Sequence, residues 1–289
     1  MSTEAVHRPV YRLCVVLLVV LAGCSGTGGT VGDSGESPTE TVTPVPVPDA
    51  DPERGRPIGI DGSGVSDPRS LAAAHDSRLE ERSYRLVSNQ TIRYDNGSVR
   101  SQYLTDLRLA ANRTYSVTVR TDGPAGPRLL GDPPAVSEFW SDGETYVRAF
   151  GTTDPTYNEF TPTASGVGTW RFWATTGAFE VPRSPSTVIA ESLGAVPTRV
   201  ESTRSVGGDE RYRVVDAGAS EAELPFPAAS PARNVSLVAA VDQSGLVRRL
   251  ELEYTGRIDG DRVTVSRSIV YSDVGATEVG RPAWFDRAT

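Results

Sequence analysis

Residues 84–109, YRLVSNQTIRYDNGSVRSQYLTDLRL, decide how the chain folds. Tyr84, Leu86, Ile92 and Tyr94 alternate with polar neighbours, Asp95-Asn96-Gly97-Ser98 supplies a turn, and Val99, Tyr103, Leu107 and Leu109 alternate on the return. Period-two alternation around Asn-Gly is the signature of an antiparallel hairpin with one buried face. With Asn96-Gly97 as a two-residue turn, Tyr94 faces Val99 and Leu86 faces Leu107, so both apolar sets share a face and the register is self-consistent.

The same pattern recurs on either side. Phe139 is expected to face Tyr146 across Asp142-Gly143, and Leu250, Leu252 and Tyr254 to face Ile269, Arg267 and Val265 across Asp259-Gly260. Tyr115, Val117 and Val119 form a further strand. Two helices interrupt the strands. Ser66-Asp67-Pro68 caps the first, with Leu71, Ala72, His75 and Leu79 at helical spacing, and Ser184-Pro185 starts the second, which runs through Ile189 and Leu193 to Gly194. The expected class is α+β, mainly antiparallel, over a single domain from 57 to 289.

The N-terminus reads as an address. Residues 1–23 hold His7, Arg8 and Arg12, then the apolar stretch Leu13–Leu21, then Ala22-Gly23. Nine apolar residues are too few for a bilayer core, which takes about 20, and the layout is that of a secretory signal. Leu21-Ala22-Gly23-Cys24 resembles a lipobox, which makes Cys24 the lipidated N-terminus of the mature chain. Residues 25–56 contain 19 Gly, Pro, Ser or Thr among 32 positions and no aromatic residue, so residues 24–56 are expected to be a disordered tether behind the anchor. The domain is then extracytoplasmic and held at the cell membrane through Cys24.

Composition removes most chemistry. All 29 basic residues are Arg, the net charge is -8, both Cys lie within the first 24 positions, and His75 is the only His beyond them. Cysteine nucleophiles, cysteine zinc sites and lysine Schiff bases therefore have no residues to work with. No metal or cofactor is expected, the acidic balance speaks against nucleic acid, and no catalytic pattern occurs. His75 on its stripe reads as a packed residue, and Glu251 and Glu253 as a solvated strand face. Asn89, Asn96, Asn112 and Asn234 stand in acceptor sequons and are glycosylation candidates.

The lipobox, the tether, the initial helix, the hairpin Phe139-Trp140-Ser141-Asp142-Gly143-Glu144-Thr145-Tyr146 and the tail from Tyr271-Ser272-Asp273-Val274-Gly275 to Pro282-Ala283-Trp284 look like uncharacterised lipoproteins of haloarchaea. Their architecture resembles the LolA and LppX carriers. That resemblance implies a curved antiparallel half-barrel, its concave face covered by helices around an apolar cavity, and a lipid or other apolar ligand. Trp140, Trp170, Phe172 and Trp173 are candidate cavity residues or core, with Leu129-Leu130 at the mouth. Arg267, placed on the apolar face, either pairs with a carboxylate, snorkels at the sheet edge or meets the polar end of a ligand. Two functions follow: a lipid-anchored binding module, not an enzyme, or a surface lipoprotein that only contacts other envelope proteins.

Cys24→Ser should block lipidation and signal cleavage at this site, which membrane fractionation and the mass of the mature N-terminus read out. A variant processed and membrane-bound like the wild type would sink the lipobox reading.

Overall fold

The computed structural model describes residues 55–128, 130–151, 154–164, 166, 168–174, 185–206, 209–218, 221–224 and 229–289. Cys24, the expected tether up to residue 54, Ser184 and Leu129 lie outside them. Helix α1 (Pro68–Leu79) comes first. The Asp67 carboxylate accepts from the backbone N–H groups of Arg69 and Ser70 at 3.1 and 3.0 Å, and Pro68 sits where a missing N–H costs nothing. Leu71, Ala72, His75 and Leu79 form its buried stripe, as their spacing predicts.

Six strands follow: β1 (Tyr84–Tyr94), β2 (Val99–Leu109), β3 (Tyr115–Asp122), β4 (Ala135–Ser141), β5 (Tyr146–Phe150) and β6 (Thr156–Glu159). Helices α2 (Trp170–Ala174) and α3 (Pro185–Gly194) come next. Then come β7 (Thr198–Val206), β8 (Asp209–Asp216), β9 (Glu221–Ala222), β10 (Ala232–Asp242), β11 (Val247–Ile258) and β12 (Asp261–Ser272). A 3-10 turn, Phe285–Arg287, ends the tail.

All twelve strands belong to one curved, open antiparallel sheet in the order β6-β5-β4-β3-β2-β1-β12-β11-β10-β8-β7, with β9 beside β10. β1 pairs with both β2 and β12, so the two meanders meet at a central seam and run out to opposite edges. The chain must pass from the β6 edge to the β7 edge, and it carries α2 and α3 on that passage. Trp173, Val188, Ile189 and Leu193 from these helices bury in the same core as Leu71 of α1 and the inward side chains of the sheet. Curvature has a visible source in register shifts within the β1–β2, β7–β8 and β10–β11 pairs.

Register decides which side chains face that core. Leu86 opposite Leu107, and Leu250, Leu252 and Tyr254 opposite Ile269, Arg267 and Val265, stand as the turns predict. Two hairpins differ near their tips. In the first, the Tyr94 N–H donates to the Ser98 carbonyl and the Gly97 N–H to the Tyr94 carbonyl, which makes a three-residue loop with Gly97 at φ +83. A bulge then absorbs one residue, and Val99 faces Arg93 in place of Tyr94. In the second, Asp142 Oδ1 accepts from the Glu144 and Thr145 N–H groups, so the loop takes four residues. Ser141 therefore meets Tyr146, and Phe139 meets Arg148. The slip is two residues, so both partners keep their face.

His75 is fully buried, its Nδ1 accepts the Val247 backbone N–H at 3.2 Å, and its ring meets Tyr271 edge-on at 4.7 Å. Burial pushes the imidazole down to about 3, against a smaller opposing pull from Asp242. The unfolded chain, with an ordinary value near 6.5, takes up this proton first, so the stability contribution is complete above about pH 6.5 and is lost as pH falls toward 3. At pH 5 the loss from this group is on the order of 2 kcal/mol. His75→Asn keeps an acceptor without the titration. It should cost about 1–3 kcal/mol at pH 8 and show a visibly flatter fall in thermal midpoint between pH 7 and 5; an unchanged slope would refute the assignment.

Candidate functional site

The β4–β5–β6 wing presents opposite chemistry on its two faces. Phe139 and Phe150 point inward, and Trp140, Val147 and Ala149 alternate outward. The outer set makes a small core of its own with Trp284, and Tyr157, Val279, Phe285 and Ala288 pack on it. Trp284 Nε1 donates to Glu138 Oε2 at 2.5 Å, while Arg281 stacks on Phe285 at 4.6 Å and Arg287 on Tyr157 at 4.6 Å. The C-terminal tail is thus clasped to the outside of the wing by apolar burial, one charged hydrogen bond and cation–π contacts.

Inside the wing lies a cavity of about 390 Å³, walled by Leu130, Phe139, Phe150, Phe160 and Trp173, with Arg148 among them. Phe139 sits at the centre of its aromatic wall, 4.4 Å from the Trp173 ring and 5.8 Å from each of the Phe150 and Phe160 rings. Tyr115, deeper in the core, donates its hydroxyl to the Gly168 carbonyl and fixes the approach to α2. Burial holds that phenol well above its ordinary range. Two surface depressions of about 410 and 450 Å³ are rimmed mainly by small, polar and charged residues such as Ser77, Arg78 and Gln243, or Asp67, Arg69 and Glu191. Neither contains an aromatic residue.

The four aromatic candidates separate. Trp173 is 2% exposed and lines the cavity. Phe172 packs against Trp173 at 4.7 Å and backs the same wall. Trp170 is half-buried between the guanidinium groups of Arg171 and Arg113, at 5.1 and 5.4 Å. Trp140 stands on the other side of the sheet, beneath the tail, because Trp140 and Phe139 are adjacent on a strand and must face opposite ways. Leu130 reaches the cavity; Leu129 lies outside the described residues.

Arg267 is 5% exposed in the interior of β12, between Gln90 of β1 and Leu252 of β11, and its Nη2 donates to Gln90 Oε1 at 2.8 Å. Its row is partly polar: Tyr103 and Thr121 follow Gln90 on β2 and β3, with Ser88, Thr105 and Ser137 buried nearby. Among the sequon residues, Asn96, Asn112 and Asn234 are exposed near strand ends, while Asn89 lies mid-strand and accepts from Gln102 at 3.2 Å. Arg148 is what sequence reasoning missed. The assumed Phe139–Tyr146 pairing set it opposite Ser137 in place of Phe139, although Tyr146, Arg148 and Phe150 share one face by simple alternation. Among the described residues no group of three or more His, Asp or Glu could hold a metal, and no helix is long and apolar enough to cross a membrane.

A model of a family of unknown function, DUF7537, matches residues 10–288. No curated protein matches. Among solved structures, the chain is similar to LprF from Mycobacterium bovis, at 12% identity and TM-score 0.39 over 76% of this chain and 98% of that one. It is also similar to the Mycobacterium tuberculosis lipoprotein LppX, at 11% identity and TM-score 0.37 over 74% and 97%. A LolA superfamily protein from Nitrosomonas europaea matches at 12% identity and TM-score 0.24 over 74% and 95%.

Trp140→Ala should lower stability by about 3 kcal/mol, the usual scale for emptying a packed tryptophan site, and leave the cavity able to take up the uncharged probe N-phenyl-1-naphthylamine. Loss of uptake at an unchanged thermal midpoint would return Trp140 to the site.

Proposed function

We propose that this chain, which belongs to the DUF7537 family of unknown function on a match to residues 10–288, is a membrane-anchored extracytoplasmic lipoprotein whose half-barrel binds an apolar or lipid-like ligand. The observation that carries the reading is the aromatic cavity of about 390 Å³ inside the β4–β5–β6 wing. Ligand sites run from roughly 300 to 1,000 Å³ and join apolar walls to a few polar groups, and this one sets four aromatic rings and Leu130 beside Arg148, Glu159, Thr161 and Thr163. A cavity of this size lined by aromatic rings forfeits packing energy, so its persistence needs either rigid walls or an occupant.

Anchoring rests on Leu21-Ala22-Gly23-Cys24 and on the Gly/Ser/Thr/Pro stretch after it. A flexible segment of that length spans roughly 30 Å, enough to let the domain work clear of the surface while its lipid stays inserted. The three exposed sequons lie where glycans would meet no core. The acidic balance, -8 with arginine as the only strong cation, suits an exported domain in a salt-rich setting.

The other reading, a surface protein that works only through protein contacts, finds less support. Among the described residues the exposed large hydrophobic side chains are Ile58 and Val206, and scattered single residues do not make a docking patch.

Native mass spectrometry of the protein purified from its own host should show a co-purifying small molecule that is absent after denaturing extraction. A protein that is uniformly ligand-free, and that also excludes N-phenyl-1-naphthylamine, would defeat the binding reading.

A further inference from the structure

Arg148 closes the apolar part of an inner row, with Asn158 beyond it on β6. Successive registers place it beside Phe139, which is followed by Val117, Leu107 and Leu86 across β3, β2 and β1. Its Nε donates to Asn158 Oδ1 at 2.7 Å, and its guanidinium lies over the rings of Phe150 and Phe160 at 4.8 and 5.4 Å. A guanidinium carries five donors and no acceptor. Among the described residues nothing accepts from its Nη groups, and no ion pair includes it. Glu159, at the cavity edge, is paired opposite Val147 and so takes the register of the outer face. Thr161 and Thr163 add hydroxyls to the lining, and Trp173 adds a donor-only indole whose buried Nε1 has no hydrogen-bond partner among the described residues.

A buried indole N–H without a partner and a part-buried guanidinium whose Nη groups meet no described acceptor, in one cavity, favour an acceptor that carries negative charge. The stacked phenyl rings hold the guanidinium in place without neutralising it, because cation–π contact leaves the N–H groups in the ring plane available. We propose that the cavity takes a single-chain anionic amphiphile, its carboxylate or phosphate head on Arg148 and Trp173 and its tail against Phe139, Phe150 and Phe160. This rests on the binding reading above and adds the charge and the chain number: about 390 Å³ is near the lower end for ligand pockets, which suits one chain.

The test is displacement of N-phenyl-1-naphthylamine from the purified full-length protein by decanoate, decyl phosphate and decan-1-ol, all below their aggregation limits, with inorganic phosphate alone as a further competitor. Decanoate and decyl phosphate should displace the probe at about ten-fold or lower concentration than decan-1-ol, the scale of one charge-assisted hydrogen-bonded contact. Arg148→Met should abolish that preference and Arg148→Lys should keep most of it, with thermal midpoints confirming that both variants fold. Equal displacement by acid and alcohol in the wild type overturns the proposal whether or not any variant folds, and so does a preference that survives Arg148→Met. Displacement by inorganic phosphate alone also overturns it, because the site would then hold a free anion. A wild-type protein that admits neither probe nor amphiphile sinks the binding reading itself, whereas binding without charge preference sinks only the present inference.

Discussion

The pairing of β1 with β12 is the constraint on which the rest of the structure depends. It sets Leu86 beside Tyr271 and Ile92 beside Val265, joining the start and the end of the sheet-forming chain in the middle of the sheet. Each half can then grow only outward, by local hairpins, to its own edge. The link between the two edges has to cross the sheet, and the sequence supplies it with helices whose apolar stripes fit the inner face. The helical cover of this sheet is a consequence of where its first and last strands meet. Closing contacts between the chain's extremes is entropically slow, which fits the division of labour seen here: strong local hairpins first available on both sides, and one long-range seam to unite them.

How much of this was legible in the sequence depended on whether the signal was local. Alternation and Asp-Gly or Asn-Gly turns identified the hairpins, and the Asp259-Gly260 register held along the whole of β11 and β12. The helix stripe of Leu71, His75 and Leu79 was equally plain, because capping and spacing lie within twelve residues. Loop length was harder to read. Asp142 can cap a four-residue loop as readily as Asp-Gly can make a two-residue turn, and the difference is a set of hydrogen bonds to Glu144 and Thr145 that no pattern of hydrophobicity encodes. The seam itself left no local trace, since β1 carries nothing in its sequence that names β12 as its neighbour.

The candidate site was legible only in part, for the same reason. Trp173 could be proposed for a cavity from its residue type, but Trp140 has the same type and faces the other way, beneath the tail. Parity along β4 separates them once Phe139 is known to face inward, and that in turn needs the sheet's inner side to be defined by the helices. Arg267 stood out in the sequence because it interrupts an apolar alternation, and it does lie in the interior, hydrogen-bonded to Gln90. Arg148 interrupts an alternation too, between Tyr146 and Phe150, yet in so short a strand a single charge reads as an ordinary edge residue.

The position of Arg148 also bears on why the wing does not simply close. A cavity walled by phenylalanine and tryptophan would normally shrink by inward movement of β5 and β6, gaining the dispersion contacts that the void forfeits. Here that movement would carry a guanidinium into an aromatic interior with Asn158 as its only described hydrogen-bond partner, and stripping water from an arginine that cannot deprotonate costs more than the contacts would return. From outside, the tail resists the same movement, because Trp284 and Phe285 are packed on Trp140, Val147 and Ala149 and would have to be dragged with the strands. The inner charge and the outer clasp therefore act on the same short strands from opposite faces. The cavity that Phe139 and Phe160 line is held open by the cost of desolvating one side chain and by the packing of the tail behind it.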